Sequence, residues 1–319
     1  MRRRAMLAGL VAAGQARAQA VQDWPSRPSR VLVGFPAGGA TDIYARMVAA
    51  RFATLGQPAV VENRPAAGGV LANEAVARAT DGHSFLFASS SLTTGAALRA
   101  GQLPYDVLHD FAPVSLFASV ANGILVHPGV PARTIEEFVA LAKAQPRGLT
   151  MASPGNGTTA HVTQEYFKLR TGVAIEHVPY RGTGALLPDL LAGQVSSALD
   201  NLPPYAEHVQ AGRLRLLAVT TARSWPTMPD APTLAATVAP GFDVATWFGL
   251  LAPATTPAPV LDALNRLCAE TLADPAIAER VRQGGADPEA STRRAFGEML
   301  RQDIARWTEV VRLTGARAD

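Results

Sequence analysis

Three glycine-rich turns carry residue types that can do chemistry: "FPAGGATD" (35–42), "SPGNGTTAH" (153–161) and "YRGTG" (180–184). Each follows an apolar, strand-like run and precedes a helix-like pattern. The first N–H groups of a helix have no intrahelical acceptor and sit at the positive end of its dipole, so such a turn suits an anion. Glycine lets a ligand approach the backbone. Phe35–Asp42 and Ser153–His161 contain no lysine or arginine. An anion held there must meet N–H groups and the hydroxyls of Thr41, Thr158 and Thr159, with His161 a further candidate. Arg181 is the nearby cation in sequence, on a turn where it can equally point to solvent. The expected lining is Phe35, Ala37, Gly38, Gly39, Thr41 and Asp42 from the first turn, and Ser153, Gly155, Gly157, Thr158, Thr159 and His161 from the second. Tyr180 opens the third turn, and Ser89 and Asp200 end strand-like runs. Asp42 also reads as a helix cap, and Asp200 as either a cleft hydrogen-bonding group or a turn residue.

Other chemistries fare worse. "GNGTTA" imitates a dinucleotide fingerprint, with Glu176 near the place of the ribose-binding acid. It stands mid-chain after an expected crossover, so no cofactor is expected. The six histidines, His83, His109, His127, His161, His177 and His208, show no H-x-x-x-H spacing, so no metal is expected either. A Ser153–His161–Asp200 triad would make an exported hydrolase, but the chain has no G-x-S-x-G elbow.

Alternating strands and helices must position these turns. "RVLVGF" (30–35), "AVVENRP" (59–65) and "HSFLFASSS" (83–91) read as strands. Helices are expected over 41–55, with Ile43, Met47, Ala50 and Leu55 near one face, and over 71–79. Between Phe111 and His127 two strand-like runs follow one another with almost no helix, as where a chain passes between domains. Alternation then resumes, with helices over 134–144, 158–170 and 185–191 and strands at "GLTMAS", "AIEHVPY", "VSSALD" and "LRLLAVTT". "FDVATWFGLLAP" (242–253) is a second unaccompanied run that carries the chain back, and the rest is helical. The pattern predicts an α/β fold with parallel strands, in two lobes with a cleft between them: 21–122 with 246–319 as lobe 1, and 123–245 as lobe 2. Trp247, on the return segment, is expected in the core.

The chain has 319 residues, enough for about two domains. Its formal net charge is +3, but Arg2, Arg3, Arg4 and Arg17 crowd the first twenty residues. Without them 25 basic residues face 26 acidic ones, which removes any electrostatic case for nucleic acid. "MRRRAMLAGLVAAGQARAQA" has a basic start, a short apolar run and small residues at Ala18 and Ala20, the layout of a signal peptide (1–20) cleaved near Ala20. No later stretch is apolar enough to insert in a membrane. Cys268 is the lone cysteine, so there is no internal disulfide and no lipid-accepting cysteine at the cleavage site. These features predict a soluble periplasmic protein.

Taken together, "WPSRPSRVLVGFPAGGATDIYAR", "VVENRPAAGG", "LPYDVLHDFAPVSL", "MASPGNGTTAH", "HVPYRGTGALLPDLLAGQV", "RLRLLAVTTARS", "PDAPTLA" and "TWFGLLAPATTP" run in order over nearly the whole mature chain. In this the chain resembles the Bug family, the substrate-binding proteins of tripartite tricarboxylate transporters. The resemblance implies a two-lobed type II periplasmic-binding-protein fold, with a ligand cleft between two mixed α/β domains. It also implies a small organic carboxylate as ligand, held by the loops at 35–42 and 153–161 with Asp200 at the site. The implied partners are the membrane subunits of the transporter, met by a monomer. Arg181 stands where lysine is common in the family, and Leu186–Leu187 where proline and alanine are frequent. A sensor module for a membrane partner is the remaining alternative to transport.

Overall fold

Runs of β-branched and aromatic residues become strands, and the glycine turns feed helices. In chain order the elements are β1 (Ser29–Val33), α1 (Ala40–Arg51), β2 (Ala59–Asn63), α2 (Val70–Ala77), β3 (Ser84–Ser89), α3 (Ser91–Leu98), β4 (Phe111–Val126), α4 (Ile135–Ala144), β5 (Thr150–Ser153), α5 (Thr159–Thr171), β6 (Glu176–Pro179), α6 (Thr183–Leu191), β7 (Ser197–Asn201), α7 (Ala206–Gln210), β8 (Arg215–Val219), β9 (Ala245–Pro253), α8 (Ala258–Ala273), α9 (Pro275–Gln283), β10 (Asp287–Pro288) and α10 (Arg293–Thr314). This computed structural model describes residues 24–65, 67–145 and 148–317. The expected signal peptide, residues 1–20, and its cleavage site lie outside them.

The strands run in the order β2-β1-β3-β9-β4-β7-β5-β6, with β8 and β10 paired to β4. Parallel pairs hold each end: β1 with β2 and β3, and β5 with β6 and β7. The middle is antiparallel, through β3–β9, β4–β9 and β4–β7. The fold is therefore mixed, where the helix–strand alternation alone predicts a parallel sheet.

β4 joins the two halves. Residues Phe111 to Ala121 pair with β9, and Asn122 to Val126 pair with β7. The two runs expected here are one strand. Its register against β9 slips between Pro113 and Ser115, where proline has no N–H to give the ladder. Gly123 lies inside the strand, where a Cβ would sit 2.3 Å from Leu202 Cδ2 and 2.7 Å from Leu216 Cδ1.

Two large cores result. One gathers Val31, Phe85, Phe87, Phe117 and Leu264, and the other Ile124, Phe138, Phe167 and Phe242. Each large apolar side chain taken from water contributes about 1.5–3 kcal/mol. Packing also selects helix faces that sequence left open. α1 buries Tyr44, Met47 and Val48, while Ile43 and Ala50, expected inward, face outward. Trp247 is in the core as expected, edge-on to Phe296, and its indole N–H donates to Asp303 Oδ2 at 3.1 Å. α10 serves two cores: Phe296 and Leu300 pack with Leu86 and Leu251, Trp307 and Val310 with Ile124 and Phe242. This 22-residue helix is long enough to run past the first cluster and keep an apolar face on the other.

Candidate ligand-binding cleft

The first residues of four helices meet at one cavity of about 360 Å³. Ala40 and Thr41 begin α1, Ser91 begins α3, Thr159 and Ala160 begin α5, and Thr183 begins α6. Four strand ends deliver these helices: β1 leads to α1, β3 to α3, β5 to α5 and β6 to α6. Phe35, Pro36, Pro154 and Phe248 supply apolar wall between the helix ends. First-turn N–H groups carry the positive end of each helix dipole. No lysine, arginine or histidine is among the lining residues, and Asp200 is their one ionisable side chain. An anion in this space would be met by backbone N–H groups and hydroxyls, with no countercharge to desolvate.

Of the residues expected at the site, Phe35, Ala37, Gly39, Thr41, Ser89, Thr158, Thr159 and Asp200 line the cavity. The others are not among the lining residues, and each is occupied locally. Gly38 N–H donates to Asp42 Oδ2 at 2.9 Å, and Asp42 also accepts Arg46 Nε–H and Asn63 Nδ2–H. Gly155 N–H donates to Ser153 Oγ at 3.2 Å, and Gly157 N–H to His161 Nδ1 at 3.2 Å. Ser153 Oγ lies 2.7 Å from His177 Nε2, and the rings of His161 and His177 stack at 4.3 Å. The hydroxyl of Tyr180 donates to Asp189. The N–H groups of Gly38, Gly155 and Gly157 are thus spent on shaping the turns, whereas the first-turn N–H groups of Thr159 and Ala160, two lining residues, have no intrahelical acceptor. Arg181 is exposed and does not line it.

The imagined catalytic triad is not assembled. Ser153 is fully buried and partnered by His177, while Asp200 accepts from Thr183, Tyr205 and Asn201. Burial keeps the His177 imidazole neutral, with help from the neighbouring His161 and Lys168, and its pKa falls to about 3. Burial also lowers that of His161. Because His161 Nδ1 accepts a backbone N–H, its ring proton sits on Nε2.

Several lining residues went unnamed in the sequence reading. Pro36, Ala40, Pro154, Ala160, Gly182 and Thr183 belong to the turns quoted there, and Asn201 adjoins Asp200. Ser91 begins a helix, "SLTTGAAL", whose hydroxyls and glycine conceal its helical character. Thr246 and Phe248 come from β9 and have no local signal. The two sides also touch directly: Ser90 Oγ and Thr159 Oγ1 are 2.6 Å apart, and both residues are buried.

Asp42 fixes the first turn electrostatically. Burial alone would raise its pKa, but Arg46, Gly38 N–H and Asn63 together bring it down from 3.8 to about 2. The folded pKa lies below the unfolded one, so the carboxylate stabilises the fold above pH 3.8 and loses that contribution as pH falls through about 2. Arg46 is half exposed and solvent screens the pair, so the shift is worth about 1 kcal/mol. Asp42→Asn is expected to cost about that much at neutral pH by urea denaturation, with the gap to the native protein narrowing below pH 4. A gap that stays constant on acidification would contradict this role.

The sequence profile of the "tripartite tricarboxylate transporter family receptor" (TctC) matches residues 44–315. The chain is 37% identical to protein BugT of Bordetella pertussis over 312 residues, covering 97% of this chain and 95% of BugT. The structure of Rpa4515 from R. palustris with adipate superposes at TM-score 0.81, with 35% identity over 92% of this chain and 99% of the other. MatC (Rpa3494) from Rhodopseudomonas palustris with bound malate superposes at 0.78, with 30% identity over 90% and 100% of the two chains. The two-lobed periplasmic-binding-protein architecture, the helix N-termini gathered at its cleft and this extent of similarity lead to one conclusion: the chain belongs to the tripartite tricarboxylate transporter receptor family, that of the Bug proteins.

Proposed function

We propose that this protein captures a small organic carboxylate in the cavity between its lobes and presents it to the membrane subunits of a tripartite transporter. The observation that carries this reading is the convergence of four helix N-termini on a cavity with no basic side chain in its lining. The relatives solved with adipate and malate support the ligand class. We assign the contacts to the first turns of α1, α3, α5 and α6, with Thr41, Ser89, Ser91, Thr159 and Asp200 as the side chains that read the ligand. The lobes divide at 122/123 and 245/246, next to the place where β4 passes from β9 to β7. The leader 1–20 is removed on export, and the mature chain works in the periplasm as a monomer that binds without turnover. Among the described residues no helix is long and apolar enough to cross a membrane.

One experiment addresses the ligand and the export together. Native mass spectrometry of protein taken from the periplasmic fraction should show a monomer beginning near Val21 that carries one carboxylate, released unchanged on denaturation. A released ligand without a carboxyl group, or a product made from added ligand, would overturn the reading.

A further inference from the structure

Asp200 is the acidic member of an otherwise uncharged lining, and it is only 1% exposed. Its Oδ2 accepts the hydroxyls of Thr183 at 2.6 Å and Tyr205 at 2.9 Å, and its Oδ1 accepts the N–H of Asn201 at 2.7 Å. An ionised carboxylate has about four acceptor sites, so Oδ1 keeps one for a further donor. Among the described residues no cation compensates the charge. α6 presents Thr183 to it, β4 places Gly123 opposite it, and the lobe 1 wall offers Phe35, Ser89 and Thr246. Tyr205 is the titratable group in contact among the described residues, and burial followed by Asp200 itself holds its hydroxyl protonated.

A ligand anchored by one carboxylate at the helix N-termini shares this space with Asp200. If it carries a second carboxylate, two like charges enter one buried site, and two carboxylates in hydrogen-bond contact do not both stay ionised. We propose that an α,ω-dicarboxylate binds together with one proton from solvent, shared between Asp200 and the ligand's far carboxyl group. Asp200 then selects dicarboxylates through a charge-assisted O–H···O⁻ bond, and capture tightens in acid. This rests on the reading of the cavity as a carboxylate site and adds to it the proton and the far-end selectivity. Burial already raises the Asp200 carboxyl from 3.8 to about 6. Near neutrality the site is therefore close to accepting the proton, and each pH unit above that changes affinity by about tenfold. The pair titrates as a unit, so the proton need not be assigned to one oxygen. A ligand whose far end is a hydroxyl or an ammonium group donates to an ionised Asp200 and takes up no proton.

Calorimetric titration with adipate tests this, in pairs of buffers with different ionisation enthalpies from about pH 5.5 to 8.5. The native protein should take up about one proton per adipate at the alkaline end, and affinity should fall by about tenfold per pH unit there. Asp200→Asn should take up none, with an affinity that does not follow pH. Tyr205→Phe, which removes one donor to the carboxylate, should move the onset of the fall to higher pH. Adipate binding by the native protein without proton uptake and with a flat pH profile would overturn the proposal and leave the carboxylate reading intact. Proton uptake that persists in Asp200→Asn would do the same. Failure of every α,ω-dicarboxylate from succinate to suberate to bind at any pH in the range would overturn this proposal too, while the carboxylate reading falls only if the ligand released from the native protein carries no carboxyl group.

Discussion

Replacing Ala40 by proline is expected to weaken carboxylate capture by about 10–100-fold while leaving the thermal midpoint nearly unchanged. Ala40 is the first helical residue of α1, and the preceding Gly39 is extended at φ −77° and ψ 166°. Proline suits that position: its φ is already helical, the N–H it lacks is one the helix does not use, and the residue before it must be extended. The substitution therefore deletes one donor from the cavity and little else. A hydrogen bond to a charged group contributes about 1.5–3 kcal/mol, which sets the expected factor. Thr159→Pro repeats the test on α5, where Thr158 is extended at φ −73° and ψ 159°. It also removes the hydroxyl that meets Ser90, so Thr159→Ala is its control. Calorimetry with adipate, alongside thermal melts, reads the outcome. If both prolines fold and bind as the native protein does, helix N–H groups do not hold the anion.

The second large effect is on the fold. Gly34 ends the β1 run just before the first cleft turn, and a Cβ there would lie 2.4 Å from Gly69 Cα and 3.2 Å from Gly69 O. Both contacts are to backbone, so no rotamer change relieves them. The chain after β1 and the turn before α2 would have to part. Gly34→Ala is expected to destabilise by about 3 kcal/mol, the upper end for inserting one methyl into a packed site. It should also weaken adipate binding, because Phe35 to Thr41 hang from this contact. A urea midpoint within experimental error of the native value would show that the two segments separate freely.

The local pattern carried much of the architecture. β3, β5 and β9 fall within the apolar runs that predict them, since buried strands need continuous apolar residues. Helix starts are similarly legible: Thr134 and Thr158 cap α4 and α5 by accepting N–H groups three residues on. The turns at 35–42 and 153–161 are legible as helix starts for the same reason, because a helix start after a glycine turn exposes its donors whatever surrounds it. Asp200 was legible as a polar residue ending a strand, and the structure adds that its partners are Thr183 and Tyr205.

Sequence alone could not say which donors of a turn face a ligand and which are spent within it. Gly157 N–H goes to His161 and Gly155 N–H to Ser153, choices made by a histidine stack that brings β6 against the start of α5. Nor could it bring Thr246 and Phe248 of β9 to a cavity opened by turns far earlier in the chain, or give the second half of α10 to the other core. The difference is one of range. Strand, helix and cap follow from neighbours within a few residues, so composition and spacing determined them. Helix face, strand partner and the direction of an N–H depend on which distant surface excludes water, and only the packed tertiary structure decided those.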